Sequence, residues 1–176
     1  MAKIFTYIPT IILIVATHIS IAQTDIQQTN YMFNELSFNP AYTGSTGNIR
    51  ATVLARKQWL GFETSPLTQT LCVDNNTRFG GIGLNIIHDQ LGYERSLYAK
   101  LLYSYTAQLS EKTALTAGFA AGVIHRSLDG SMLEFQDEIT PDPSAIFDNQ
   151  GEIKPTIDFG LQFLHKDFAI GLSSAH

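Results

Sequence analysis

A chain of 176 residues with a net charge of -5 and only 15% charged residues carries no excess of Lys and Arg with which to neutralise nucleic-acid phosphates. Its single cysteine, Cys72, excludes an internal disulfide framework and any metal site built from several cysteines. We therefore predict no nucleic-acid partner, and we expect Cys72 to be a small packing residue rather than a reactive thiol.

Residues 1–22 have the layout of a secretory signal peptide. Lys3 supplies a positive charge, residues 8–21 are mostly apolar, and Ser20-Ile21-Ala22 places small residues at the cleavage positions. A transmembrane anchor needs about 20 strongly apolar residues, but a proline and several polar residues interrupt this run. The pattern predicts export with cleavage after this segment.

Residues 23–49 are rich in aromatic and Asn residues but show no clear alternation. The stretch Asn39-Pro40-Ala41-Tyr42-Thr43-Gly44 predicts a loop, because Pro and Gly interrupt strands. Three roles stay open for this segment: plugging the mouth of a barrel, facing periplasmic partners, or packing as a leader against the first strands.

From Arg50 onward, bulky apolar residues alternate with small or polar ones, which is the pattern of half-exposed strands. The alternation predicts seven strands, at about 50–59, 68–74, 80–88, 96–107, 114–125, 155–164 and 168–174. The second face of these strands carries Gly, Ser, Thr, Asn and Gln, whereas a solvated sheet carries many Lys and Glu. Aromatic residues near the segment ends suit the girdles of a membrane barrel: Trp59, Tyr103, Tyr105, Phe163 and Phe168.

The predicted fold class is therefore all-β. We expect an antiparallel transmembrane β-barrel, with about seven strands in residues 50–176, preceded by the signal peptide and by residues 23–49 at the barrel mouth or in the periplasm. The predicted connections 60–67, 89–95 and 126–154 are longer than the alternate set 75–79, 108–113 and 165–167. Barrels of the outer membrane have short periplasmic turns and longer external loops, so the short set is predicted to be periplasmic.

Seven is an odd number, and bacterial single-chain barrels close with an even number of strands. Either an eighth strand lies within 27–49 or the sequence is a shortened form of a larger barrel. Because residues 39–44 read as a loop, we expect the second.

Two blocks resemble the opening of the PorP/SprF family of outer-membrane proteins, which serve the type IX secretion system of Bacteroidota. The first is Tyr31-Met32-Phe33-Asn34 followed by Phe38 and residues 39–44; the second is Arg56-Lys57-Gln58-Trp59-Leu60-Gly61. Weaker likeness continues through Gly83-Leu84 to the closing residues 171–176, although Glu35 and Ala175 stand where the family has proline.

The resemblance implies an outer-membrane barrel that exports cargo proteins with C-terminal sorting domains or attaches them to the surface, as in gliding motility. It also implies contact with outer-membrane lipids and with periplasmic or peptidoglycan-associated secretion components. Family members are about twice as long, so the match is to their first part. Two alternatives remain: a generic outer-membrane channel or structural barrel, and a soluble periplasmic β-barrel that binds an apolar ligand.

The sequence contains no pattern that predicts a catalytic site. The histidines beyond the signal peptide, His88, His125, His165 and His176, have no ligand spacing, so no metal site is predicted. Ser104, His125 and Asp158 are a formal Ser/His/Asp set, but no pattern places them together. We predict no enzyme, no catalytic or cofactor-binding residues and no cofactor.

Charged residues suggest two further features. The connection 126–154 is acidic and is expected to be a solvated external loop, with a partner-contact or Ca²⁺-binding loop as the alternative. Arg50 and Arg56 share the lumen side of the first strand and are expected to pair with acidic residues inside the barrel, such as Asp158.

Overall fold

The computed structural model describes residues 31–62, 64–129 and 149–174. Seven antiparallel strands form one sheet: β1 (Arg50–Lys57), β2 (Leu67–Thr77), β3 (Gly80–Leu91), β4 (Glu94–Ser110), β5 (Thr113–Asp129), β6 (Asn149–His165) and β7 (Phe168–Ser174). Each strand pairs with its neighbour in sequence, and the sheet curls into a half-barrel. The predicted all-β antiparallel fold is confirmed. The predicted signal peptide lies outside the described residues.

The register is continuous across these strands, so apolar residues of neighbouring strands lie side by side in rows. Val53, Leu71, Ile86, Ala99 and Val123 are successive pairing partners and form one transverse row on the convex, outward face. The next row on that face is also apolar: Ala51, Val73, Leu84, Leu101, Ala121 and Ile157. Val53 is 73% exposed and Leu101 is 69% exposed, so no second layer of the described chain covers these rows. A surface of this kind is suited to lipid rather than to water.

Strand lengths agree with a membrane span. Strand β2 has 11 residues. At about 3.3 Å per residue and a tilt near 40°, such a strand rises ~28 Å, close to the thickness of a bilayer's hydrocarbon core. Strands β4, β5 and β6 have 17 residues each and extend beyond that thickness. Separately, none of the described helices is long and apolar enough to cross a membrane.

One predicted connection is wrong. Instead of a long loop over 89–95, β3 and β4 are joined by the tight turn Gly92-Tyr93. Gly92 has a φ of 63°, the left-handed conformation that two-residue hairpins need, so the polar residues on either side continue the strand pairing. The predicted acidic loop 126–154 is shorter as well, because β5 continues to Asp129 and β6 begins at Asn149; residues 130–148 lie outside the described chain.

Residues 31–49 contain no strand, so the described part of this segment does not supply an eighth strand. Three short 3₁₀ turns occur instead, at Tyr31–Phe33, Glu35–Ser37 and Pro40–Tyr42. They lie against the concave, inward face of the sheet, and residues 34–44 are called the lining segment below. The small hydrophobic core forms between this segment and the wall: Leu36, Cys72, Leu102 and Ala120.

Candidate functional site: the inner wall and its lining segment

The inward face is buried although it is polar. Its buried polar side chains come from most strands: Thr68, Thr70, Asp74, Asn85, Ser96, Ser104, Thr116, Thr156, Asp158 and Gln162. Buried polar groups need hydrogen-bond partners, and Asp74, Asn85 and Ser104 have theirs in the lining segment. The segment is therefore an integral part of the wall.

Asp74 on β2 joins the lining segment to the first strand. Its Oδ2 accepts a hydrogen bond from the Gly44 backbone N–H at 2.7 Å, and its Oδ1 accepts from Arg50 Nε at 3.0 Å. Arg50 and Asp74 are direct cross-strand partners, and Arg50 also approaches Glu35 Oε2 at 3.9 Å. Asp74 is 2% exposed, so this carboxylate acts where water provides little competition.

Glycines on the inward face allow the lining segment to lie directly on the wall. A Cβ at Gly118 on β5 would overlap the backbone of Pro40 and Ala41, and one at Gly81 on β3 would overlap the Thr43 carbonyl. Between them, Ser104 Oγ on β4 donates to that same carbonyl at 2.6 Å. Glycine recurs on this face in the sequence. The structure explains why: another backbone lies so close that a side chain would not fit.

Asn39 fixes the other end of the lining segment. Its Nδ2 lies 3.3 Å from the Leu161 carbonyl of β6 and 3.4 Å from the Leu172 carbonyl of β7. Its Oδ1 accepts from the Ala41 N–H at 2.9 Å, which caps the third 3₁₀ turn. The segment from Asn39 to Gly44 thus crosses the wall from β7 to β2, with a contact on every strand between them.

A second set of polar contacts holds the start of the lining segment. Cys72 Sγ donates to Asn34 Oδ1 at 2.8 Å, and Asn34 Nδ2 donates to Ser37 Oγ at 2.7 Å. Asn85 Nδ2 on β3 reaches the same Ser37 oxygen at 2.8 Å. Cys72 is buried within this network, in agreement with its predicted packing role.

A family model described as the type IX secretion system membrane protein PorP/SprF matches residues 20–176. The chain belongs to the PorP/SprF family. Comparisons with curated proteins and with solved structures give no significant match. In this PorP/SprF chain, the first block of the predicted resemblance comprises residues 31–33 and much of the lining segment, and the second block forms the end of β1 and the loop after it.

Arg50 pairs with an acidic residue of the inward face, as predicted, but that residue is Asp74 rather than the suggested Asp158. Asp158 instead forms an ion pair with Lys100, with Nζ and Oδ2 at 2.6 Å. Arg50 and Asp158 lie on strands at opposite sides of the sheet, whereas Lys100 is only two strands from Asp158 and reaches it across β5. Asp74 was not predicted from the sequence as a site residue. It could have been noticed because it is an acidic residue on the inward side of a predicted membrane strand.

The three residues of the formal catalytic set are not brought together. Ser104 is bound to the lining segment and Asp158 to Lys100, both on the inward face. His125 alternates onto the outward face, next to Val123 in the apolar rows. In the described part of the chain, no three residues of the His, Cys, Asp and Glu types are grouped as metal ligands require. His176 and most of the acidic loop lie outside the described residues.

Replacing Asp74 with Asn tests the role of this carboxylate. The amide keeps an acceptor for Gly44 but removes the charge that Arg50 faces. We expect a loss of about 2 kcal/mol in unfolding free energy. This is less than for a fully buried pair, because the Arg50 side chain is 25% exposed. Urea titration of the protein folded in vesicles measures the loss. Asp89→Asn is the control, since Asp89 accepts from Thr68 on the same face; equal midpoints for the two variants would contradict the assignment.

Proposed function

We propose that this chain is a non-enzymatic outer-membrane component of type IX secretion that holds or passes cargo proteins with C-terminal sorting domains. Family membership supports a type IX secretion membrane protein. The observation that carries the finer proposal is the lining segment, which binds across the inner wall from β7 to β2. A wall built around a fixed peptide segment suits a protein that handles polypeptides.

The same observation argues against a generic diffusion channel. A channel for small solutes has a solvated inner wall, but here the lining segment lies against the half of the wall near the short turns and forms hydrogen bonds with its buried side chains Asp74 and Ser104. The soluble ligand-binding barrel is disfavoured by the outward face, because its two apolar rows would lie in water.

The lining segment lies toward one end of the sheet. Its contacts at Asp74, Gly81, Gly118 and Gly160 are all in the strand halves that end in the short turns. If those turns are periplasmic, the segment lies at the periplasmic mouth. Met32 and Phe33, which are exposed immediately before it, then face the compartment of the peptidoglycan-associated secretion components. We infer that these components are the periplasmic partners of the chain.

Epitope tags test this orientation. A tag inserted at Lys112, in the short β4–β5 turn, is expected to bind antibody only after the outer membrane is permeabilised. A tag near Asp142, which lies outside the described residues, is expected to bind antibody on intact cells. Immunofluorescence of the two strains makes the comparison, and swapped accessibility would mean that the orientation is inverted.

Deletion of the complete gene tests the secretion role. We expect particular surface proteins to disappear from the cell surface, with little change in the uptake of small solutes. Mass spectrometry of surface proteins in deleted and complemented strains, together with solute-flux assays, measures both effects. Altered solute permeability with an unchanged surface proteome would support the channel instead and would refute the proposal.

A further inference from the structure

Two cations occupy the same transverse row on the outward face, at the end of the sheet opposite the short turns. Pairing runs from Lys57 on β1 through Leu67 and Gln90 to Arg95 on β4, and on to Ser127 on β5. Lys57 and Arg95 are both exposed. The residues of this row are called the basic row.

The basic row lies at the border of the apolar surface. The next outward row contains Ala55, Gln69, His88, Leu97 and His125, and the two rows after it are the apolar rows of the convex face. Successive rows are two residues apart, or about 6.5 Å along a strand. The cations therefore lie about 13 Å along the strands from the first apolar row, which corresponds to the headgroup region when the apolar rows lie in the hydrocarbon.

Most of the described acidic residues at this end of the sheet are on the inward face. Asp89, Glu94 and Glu152 alternate inward, and Asp89 accepts a hydrogen bond from Thr68 there. Asp129 alternates outward but lies one row beyond, where its N–H donates to the Tyr93 carbonyl. Among the described residues, no ion pair involves Lys57 or Arg95. In the described part of this row, the outward surface is therefore basic and carries no acidic side chain.

Exposed apolar side chains lie in the loop that follows Lys57. Trp59, Leu60 and Phe62, in the loop after β1, are 68%, 78% and 74% exposed. The base of this loop is closed by a hydrogen bond from Gln58 N–H to the Pro66 carbonyl at 3.0 Å, and Phe62 N–H donates to the Trp59 carbonyl at 3.2 Å. Aromatic residues next to Lys and Arg are the usual composition of a membrane interface.

We propose that Lys57 and Arg95 bind phosphate-bearing headgroups of anionic lipids in the leaflet around the long-loop end of the sheet. An ammonium and a guanidinium are the two side-chain groups that bind phosphate best, the guanidinium through two parallel hydrogen bonds. Three strand spacings separate the two positions by about 14 Å, so each cation binds its own phosphate. The inference rests on the outward face meeting lipid, as proposed above, and is independent of the cargo role.

Native mass spectrometry of the purified full chain tests the proposal, with phosphatidylglycerol or phosphatidylcholine added to the detergent-solubilised protein. Each neutralising substitution, Lys57→Gln or Arg95→Gln, should weaken phosphatidylglycerol binding about fivefold, and both together about 25-fold. Binding of phosphatidylcholine should not change. The matched control is Arg78→Gln with Lys112→Gln, which removes two cations at the opposite end and should leave phosphatidylglycerol binding within about twofold of the parent, because a surface potential decays within a Debye length.

Three results would overturn the proposal. The double variant could retain full affinity for phosphatidylglycerol, or the control could lose as much, which would indicate a general charge effect. An excess of inorganic phosphate at constant ionic strength could displace the lipid completely, which would indicate a site for free anions. Surface display of cargo in the complemented strain is a separate readout: the double variant should lose lipid affinity while cargo display continues. Heat-modifiable mobility on gels verifies that each variant is folded.

Discussion

Replacing Gly118 with valine is expected to detach the lining segment from the inner wall while the outward face of the sheet stays intact. A Cβ at this position overlaps the backbone of Pro40 and Ala41, and a backbone cannot move aside by changing a rotamer. The overlap should lower the unfolding free energy by about 3 kcal/mol, at the upper end of the range for overpacking. Valine is favoured over glycine in strands, which by itself would raise the unfolding free energy. A measured decrease would therefore have to come from the overlap with the lining segment.

Limited proteolysis of the folded protein provides the readout. In the parent, residues 34–44 should resist cleavage because their backbone is held by β2 to β7. In Gly118→Val they should be cut rapidly while the sheet persists. Gly151→Val is the matched control, since a Cβ at Gly151 meets only the His125 side chain, at 3.1 Å, and the backbone of Arg126 at 3.8 Å. Cleavage at equal rates in the two variants would show that the segment is not held as described.

The outward face could be predicted from the sequence because alternation with period two depends on local geometry alone. Leu97, Leu101, Phe119 and Leu161 are bulky apolar residues of the predicted alternation, and the structure exposes each of them. The connection predicted at 89–95 was too long, because Asp89 and Glu94 on either side of Gly92 are typical turn residues although they belong to paired strands here. Alternation therefore identified the strands better than the turns.

Contacts on the inward face could not be predicted in the same way. The pairing of Arg50 with Asp74 and of Lys100 with Asp158 depends on strand register, which a single sequence does not specify. The lining segment has no periodicity, because 3₁₀ turns held by side-chain hydrogen bonds leave no repeating pattern. The sequence showed that glycine recurs on this face, but not which backbone lies against it.

Arginine on the outward face is expected to impair folding into bilayers far more than arginine on the inward face. Leu101 lies in the second apolar row and is 69% exposed, so Leu101→Arg places a charge near the bilayer midplane at a cost of about 2–4 kcal/mol. Leu54 is the matched position because it is also a leucine, alternates inward on β1, and is only half-buried. Leu54→Arg should cost less than about 1 kcal/mol, since its guanidinium can reach water in the lumen.

The choice of inward control matters for this comparison. Gln162 and Ala120 also face inward, but they are 3% and 0% exposed under the lining segment, so an arginine there would clash for reasons unrelated to lipid. Leu54 avoids that ambiguity because its row is not in the half of the wall that the segment covers. The folded fraction in vesicles, read from heat-modifiable mobility across a urea series, should fall much more for Leu101→Arg. Equal losses, or a larger loss for Leu54→Arg, would mean that the convex face does not meet lipid, and both the membrane barrel and the basic row at its border would then have to be abandoned.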